Sequence, residues 1–366
     1  MKIGVIGTRG FPEIQGGLET HCMELYPRIA SMDDNEVTIY RRTPYLNAGN
    51  KNAIYKNVRF VDFRVPKNKY FETFLHSLFS VSHALFQGYD IVHFHNAGPG
   101  FFIPLMKLSN VKIVLTYHNI SYTQRKWNSF AKRFLRWSEK ISITNADFVI
   151  FISVVVESII VKKYFINKYK LIYNGVNLPV ISTKTDYIES LGLEKQKYVL
   201  AVGRYLEEKG FDYLIRAFRK TNIKDYKLVL VGDTDYPTNY SDKLKLFARE
   251  NNVILTGFIK GEYLNQIYSH ARLFIMPSFE EGLPIALLEA MSFKLDVLAS
   301  DIPAHLQIGL MEDDYFKVGD EDTLKISILA KLSKFEERDY GDILSARFMW
   351  DSIAIETNKV YKETTI

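Results

Sequence analysis

Short apolar runs alternate with amphipathic stretches along the whole chain, and the two periods, near 2 and near 3.6 residues, separate strands from helices. In the first half, strand-like runs fall at 2–7, 36–40, 91–94, 112–117, 147–151 and 170–172, with helical patterns over 19–30, 71–86, 127–143 and 154–164. The pattern pauses at 178–197, where polar residues and Pro179 dominate. It restarts with strands at 198–202, 227–231, 253–255, 273–276 and 297–299 and helices over 211–220, 243–250, 285–292 and 323–332. Strands alternating with helices of this length predict parallel sheets covered on both faces. The expectation is an α/β chain of two Rossmann-like, doubly wound domains facing a cleft, over residues 1–178 and 179–349. A last helix over 350–366 is expected to pack back onto the first domain.

Composition changes this picture little. The chain has 366 residues, 47% of them hydrophobic and 24% charged, which excludes wholesale disorder and suits two domains. A single cysteine, Cys22, excludes an internal disulfide framework and reads as a small apolar side chain in a helix. The longest apolar run, 148–156, is far short of the roughly 18 residues a membrane span needs. The opening MKIGVIGTRG has no signal-peptide core, so the chain is expected to start near Met1 and to work in a reducing cytoplasm.

Charge is informative once the halves are separated. Residues 1–178 carry 23 Lys and Arg against 12 Asp and Glu, and residues 179–366 carry the remaining 24 and 30, so a total of +5 divides into +11 and −6. A basic first half implies an anionic partner: a membrane surface, a nucleic acid or a phosphorylated ligand.

Ligands of open α/β sheets bind beyond the carboxyl ends of the strands, so the candidate chemistry lies in three loops. After the first strand, Gly7-Thr8-Arg9-Gly10 leads to Gln15-Gly16-Gly17-Leu18-Glu19. The Gly16-Gly17 pair lets backbone N–H groups approach a phosphate near a helix start, although a glycine pair alone is more often a turn. The spacing is not GxGxxG, and Arg41-Arg42 follow the second strand where an acidic residue would bind a ribose, which argues against NAD. Between strand 198–202 and helix 211–220 lies Gly203-Arg204-Tyr205-Leu206-Glu207-Glu208-Lys209-Gly210. There Arg204 offers a planar fork and Lys209 a point charge suited to a diphosphate, or two solvated surface cations. The third loop, Pro277-Ser278-Phe279-Glu280-Glu281-Gly282-Leu283-Pro284-Ile285, enters a helix that carries Glu289. Pro284 fits the first turn of that helix, and Glu281 and Glu289 could serve sugar hydroxyls and a ribose diol, or simply a cap and a solvated face.

Taken in order, Gly16-Gly17 with Glu19, Gly203-Arg204 with Lys209-Gly210, and Glu281 with Glu289 resemble the retaining GT-B glycosyltransferases of family GT4. Thr116-Tyr117-His118-Asn119, Ile172-Tyr173-Asn174-Gly175-Val176-Asn177 and Ala299-Ser300-Asp301-Ile302-Pro303 are similar to that family too. Ile6-Gly7-Thr8-Arg9-Gly10 resembles its bacterial surface-polysaccharide branch, which includes enzymes assigned as rhamnosyltransferases. The resemblance runs from about residue 1 to residue 362. It implies transfer of a sugar from a nucleoside-diphosphate-sugar donor to a hydroxyl of a glycan or polyprenyl-diphosphate-linked acceptor, with retention at the anomeric carbon. By that resemblance Arg204 and Lys209 neutralise the departing diphosphate, with the Gly16 and Gly17 amides on its other side. Glu281 and His118 meet hydroxyls of the donor sugar, and Glu289 holds the ribose. Gly203, Gly282, Leu283, Pro284 and Ile285 line the donor site, and backbone near Phe258 holds the base. No cofactor is implied.

Asp233-Thr234-Asp235 has the spacing of metal-dependent glycosyltransferases, but Arg204 and Lys209 already bring the positive charge a metal would supply, so no metal is expected. Over residues 124–140, Trp127, Phe130, Ala131, Phe134, Leu135 and Trp137 fall on one arc and Arg125, Lys126, Lys132, Arg133, Arg136 and Lys140 on the other. That is the composition of an inner-membrane surface element or of a core-packed helix with a basic face; with the +11 half, the expectation leans to a peripheral membrane contact. No nucleic-acid module is present. Two departures from the family pattern stand out: Asn177 replaces an aspartate, and Phe293-Lys294-Leu295-Asp296 replaces a glycine-bearing turn. The alternatives are a nucleoside-diphosphate-sugar 2-epimerase on the same fold and a catalytically silent sugar-nucleotide-binding subunit.

Overall fold

Two parallel sheets, each built from strands that read as apolar runs, organise the chain in a computed structural model that describes residues 1–68, 71–123, 128–334 and 338–366. The first contains β1 (Lys2–Ile6), β2 (Glu36–Arg42), β3 (Val58–Phe63), β4 (Ile91–His95), β5 (Lys112–Tyr117), β6 (Phe148–Phe151) and β7 (Tyr169–Leu171), in the order β3-β2-β1-β4-β5-β6-β7. The second contains β8 (Tyr198–Val202), β9 (Lys227–Val231), β10 (Ile254–Gly257), β11 (Leu273–Met276), β12 (Asp296–Ser300) and β13 (Tyr315–Phe316), in the order β10-β9-β8-β11-β12-β13. Central strands are buried on both faces, as Ile3, Val5 and Ile6 of β1 and Val199, Leu200 and Ala201 of β8 illustrate. Each such aliphatic side chain removed from water is worth about 1.5–3 kcal/mol, which is why continuous apolar runs settle at the sheet centres.

Two strands lie outside the sequence expectation, both at sheet edges. β3 has one hydrogen-bonded neighbour, β2, and carries exposed Arg59 and Asp62 among half-buried Val58, Phe60, Val61 and Phe63. β13 is only two residues long. Edge positions need less apolar content, so their sequence signal is thinner.

Among the described residues, three helices begin at a side chain that accepts from their free N–H groups, Asn128, Thr238 and Asp320. Asn128 caps the helix Ser129–Asn145 by accepting from the Ala131 amide at 2.9 Å. Thr238 and Ser241 form a reciprocal capping box that starts the helix Asn239–Glu250 ahead of the expected residue 243. The helices Gly261–Ser269 and Gly341–Arg347 were not expected from the pattern.

By contacts the chain divides into two units, Met1–Asn174 with Trp350–Ile366, and Gly175–Met349, so the division falls after Asn174 rather than after residue 178. In the first unit the helix Trp350–Thr365 packs on the helix Gly17–Ala30. Arg28 Nε donates to Asp351 Oδ1 at 2.7 Å and Asn35 Nδ2 to Asn358 Oδ1 at 3.1 Å. Among the described residues no helix is long and apolar enough to cross a membrane.

The helix Ser129–Asn145 leaves its aromatic arc exposed or half-buried, so it is not the core-packed helix of the alternative reading. Ser138, Glu139, Ser142 and Ile143 face the core, whereas Phe130 and Trp137 are 83% and 56% exposed beside exposed Arg133, Arg136 and Lys140. Buried Glu139 decides the rotation, since it accepts from Tyr164 Oη at 2.8 Å and Lys163 Nζ at 2.7 Å. The expected contributions of Gln124, Arg125, Lys126 and Trp127 lie outside the described residues.

Candidate functional site

In the second sheet the strand order reverses between β8 and β11, the place where doubly wound sheets open a crevice for ligands. The loops after these two strands are fastened to each other. Gly210 sits at φ 66°, and a Cβ there would come within 2.4 Å of the Pro277 carbonyl oxygen, so the backbone approach requires glycine. The Phe279 amide donates to the Glu208 carbonyl at 2.8 Å. Gly203 leaves β8 with Phe211 Cζ 3.2 Å from where its Cβ would stand. This fastening brings Lys209 Nζ into an ion pair with Glu281 Oε1, which also accepts from Ser278 Oγ at 2.9 Å. Burial by itself would raise the Glu281 pKa, but the Lys209 ammonium and the Ser278 hydroxyl outweigh it and hold the carboxyl below its usual range. A lysine has three N–H donors, so Lys209 can keep Glu281 and still serve an anion.

Behind this group, the Ser278 carbonyl accepts from Ser300 Oγ at 2.5 Å, and His305 Nδ1 lies 2.8 Å from the Ser300 carbonyl. Sequence reasoning assigned no role to Ser278 or His305. Ser278 stood inside a quoted motif, and His305 lies just past Ala299-Ser300-Asp301-Ile302-Pro303, so proximity to a motif was the available signal.

The other predicted residues occupy separate places. Arg204 Nη1 is 3.4 Å from Asp235 Oδ2, and Asp233 Oδ1 is 2.7 Å from Lys245 Nζ, so both acids of the Asp233-Thr234-Asp235 run face cations. Glu289 Oε2 accepts from Tyr268 Oη at 3.0 Å. Pro284 is the N-cap of the helix Ile285–Ser292, one position earlier than expected, and Leu283 and Ile285 are buried beside it. The Gly282 carbonyl accepts from Gln307 Nε2 at 3.0 Å. Phe258, 44% exposed, follows edge strand β10, with β9 between that strand and β8. Where the family pattern has glycine after the Glu289 helix, Lys294 takes a left-handed φ of 58°. The glycine geometry is kept at a strain cost of about 1–2 kcal/mol.

The first sheet reverses between β1 and β4, and its loops meet in the same way. Gly7, at φ 120°, would place a Cβ 2.6 Å from the His95 carbonyl. Gly16, at φ 144°, is the N-cap of the helix Gly17–Ala30, and a Cβ on it would collide with the Glu19 carboxylate. Glu19 Oε1 accepts from the Arg9 amide at 3.2 Å. At the end of β5, the His118 amide donates to Asn96 Oδ1 at 3.0 Å, and its Nε2 lies 2.9 Å from His95 Nδ1. His21, from the helix, completes a buried histidine group that sequence reasoning reached only through His118. Gly16, Gly17 and His118 thus belong to the first unit, and Arg204, Lys209, Glu281 and Glu289 to the second.

Burial drives the pKa of both His21 and His305 down to about 4, partly opposed by Asn174 at the first and by Glu281 at the second. Unfolded, each would titrate near 6.5 and take up a proton that the folded ring refuses. Stability is therefore complete above pH 6.5 and is lost as pH falls from there toward 4, at up to about 1.4 kcal/mol per pH unit for each ring. Urea unfolding between pH 7 and 4 is expected to show this slope, with His305→Gln removing one proton's share. An unchanged slope in that variant would mean His305 is not held neutral.

Comparison with known proteins places these features in a family. Residues 15–179 match the profile described as Glycosyltransferase Family 4, and residues 183–323 match Glycosyl transferases group 1. An uncharacterized glycosyltransferase of Methanocaldococcus jannaschii is 24% identical over 95% of each chain. An O-antigen chain mannosyltransferase of Salmonella typhimurium is 28% identical over 56% of this chain and 60% of its own. The UDP-Gal:alpha-D-GlcNAc-diphosphoundecaprenol alpha-1,3-galactosyltransferase of Escherichia coli is 30% identical over 58% of each. This chain thus spans under two thirds of those two functionally named relatives. Among solved structures, sucrose-phosphate synthase from Thermosynechococcus elongatus superposes with a TM-score of 0.83 at 22% identity, covering 99% of this chain and 98% of that one. Anabaena HepE in complex with UDP-glucose superposes at 0.77 and 18% identity, covering 99% and 100%. The fold is that of the GT-B glycosyltransferases, and with both profiles matched in chain order, one on each sheet, the chain belongs to the family 4, group 1 glycosyltransferases.

Proposed function

We propose that this glycosyltransferase takes a nucleoside-diphosphate-sugar donor and moves its sugar, with retention, to a hydroxyl of a glycan or polyprenyl-diphosphate-linked acceptor in bacterial capsule, O-antigen or exopolysaccharide synthesis. The observation that carries this reading is the Lys209–Glu281 pair at the β8/β11 reversal, where one ammonium holds a carboxylate and keeps further N–H donors for an anion. The acceptor oxygen bonds to the anomeric carbon on the face from which the diphosphate oxygen departs, and the acceptor proton passes to that departing oxygen. Arg204 and Lys209 stabilise the negative charge that develops there, and electrostatic stabilisation of this kind is commonly the largest catalytic term. The same two cations make the reaction metal-independent in this reading, and the pairing of Asp233 with Lys245 and of Asp235 with Arg204 supports it. The named relatives, with their O-antigen and diphosphoundecaprenol substrates, support the acceptor class. Exposed Phe130 and Trp137 among Arg133, Arg136 and Lys140 support a peripheral place on the cytoplasmic face of the cell membrane.

The test is a thermal-shift screen of the purified chain against UDP-, GDP- and dTDP-sugars, with and without Mg²⁺, beside Arg204→Ala. At ligand about 100-fold above Kd, roughly 2.7 kcal/mol of stabilisation is expected. One nucleotide class should stabilise selectively, with no effect of Mg²⁺ and a loss in the variant. Stabilisation only with Mg²⁺ would overturn metal independence, and donor turnover without any acceptor would favour the 2-epimerase.

A further inference from the structure

The β1/β4 reversal gathers three imidazoles that the transfer reading uses only in part. His21 projects from the helix Gly17–Ala30, His95 ends β4 and His118 follows β5. One ring nitrogen from each lies within 4.8 Å of the other two, and among the described residues this is the one group of three histidine, cysteine or acidic side chains so disposed. The ring centroids are 5.4 Å apart for His21 and His95, 4.9 Å for His21 and His118, and 5.2 Å for His95 and His118. Two of the outer nitrogens are already engaged. His21 Nδ1 is 2.9 Å from Asn174 Oδ1, and His95 Nε2 is 2.5 Å from Tyr26 Oη, which in turn lies 3.0 Å from His93 Nδ1. His21 Nε2 is buried without a hydrogen-bond partner. A buried polar network normally closes on itself; this one leaves a lone pair open beside two other imidazole nitrogens.

We propose that His21 Nε2, His95 Nδ1 and His118 Nε2 bind a divalent transition-metal ion of the zinc, cobalt, nickel or copper class. Three imidazoles suit these ions, and hydrogen bonds on the outer nitrogens are the usual support for such ligands. Tetrahedral coordination at 2.0–2.1 Å places ligand nitrogens about 3.4 Å apart, so the 2.9 Å contact between His95 and His118 opens slightly and His21 closes in. For all three lone pairs to face the ion, His95 carries its proton on Nε2, donating to Tyr26 Oη, and His118 carries its own on Nδ1. Each ring stays neutral, so none of the three imidazoles releases a proton on binding. Burial of the three rings opposes a dication, which a hydroxide in the fourth position, formed from a water that gives one proton to solvent, offsets. His118, 6% exposed, is the least buried of the three and marks the side of entry. Occupation takes the His118 nitrogen away from the donor sugar, so the ion inhibits transfer; that consequence alone rests on the role proposed for His118.

The test titrates the untagged, metal-stripped full chain with Co²⁺, then with Zn²⁺. Expected is one Co²⁺ per chain with the visible absorption of a tetrahedral site, displaced by Zn²⁺. His21→Gln should weaken binding about 10–100-fold or more, whereas His76→Gln, which removes a buried imidazole elsewhere in the same unit, should leave it intact. If His21→Gln does not fold, His118→Gln replaces it. Binding with this dependence supports the site even where no nucleotide sugar binds, an outcome that counts only against the transfer reading. Absence of the cobalt spectrum, or equal affinity in both histidine variants, overturns it.

Discussion

Lys209→Met is expected to lower kcat for sugar transfer by about 10²–10³-fold, the range seen when one preorganised charge-stabilising donor is removed. The side chain stands at the end of a short turn whose exit, Gly210, is locked against Pro277, so its ammonium is delivered to one place. Its partner Glu281 is 12% exposed and keeps Ser278 as a second donor. Removing the ammonium takes away the main influence holding that carboxyl down, so its pKa rises and the acid limb of the residual activity moves to higher pH. The double variant Lys209→Met/Glu281→Gln is expected to be far from additive, because the two side chains act as one unit. Steady-state kinetics across pH 5–9 measure both effects. Retention of activity within about threefold in Lys209→Met would remove this residue from the leaving-group role.

The second large effect concerns stability. Asp296→Ala is expected to destabilise the second unit by about 3–5 kcal/mol, the usual result of stripping one partner from a buried ionic cluster. Asp296 opens β12 and is buried; its Oδ1 accepts from Lys331 Nζ at 2.9 Å and lies 3.5 Å from Arg338 Nε, while Oδ2 is 3.7 Å from Arg272 Nη1. Asp314 also binds Lys331, at 2.5 Å, and Asp313 binds Arg338, at 2.9 Å, so the cluster is built around several charges of each sign. Removing Asp296 takes a buried carboxylate from Lys331, Arg272 and Arg338 at once, and stripping a buried charge of its partner is what makes the change costly. For a unit of this size the loss corresponds to a fall in Tm on the order of 10 °C. Calorimetry of the full chain checks it. A loss below about 1 kcal/mol would mean that water screens the cluster, as at a surface ion pair.

Asp296 also shows how one stretch can look irregular in sequence and be well explained in space. Phe293-Lys294-Leu295-Asp296 departs from the family turn, yet Lys294 keeps the left-handed geometry and Asp296 anchors three cations.

The order of strands and helices, the break into two α/β halves and the loops that carry the candidate chemistry were readable from sequence because their signals are local. Apolar period, a Gly-Gly pair or a proline before a helix each act over a few residues. The helices over 154–164 and 285–292 were read to the residue for that reason. Tertiary structure alone decided which loops meet. Lys209 and Glu281 are 72 positions apart and are joined because β8 and β11 are neighbours at the point where strand order reverses. It likewise turned Glu139 inward and left Phe130 and Trp137 outside, and it drew His21, His95 and His118 together from three elements. Hydrophobic periodicity specifies that an element has a buried face. Which polar groups become partners depends on strand order and on loop packing across the sheet, and those contacts leave no periodic trace along the chain.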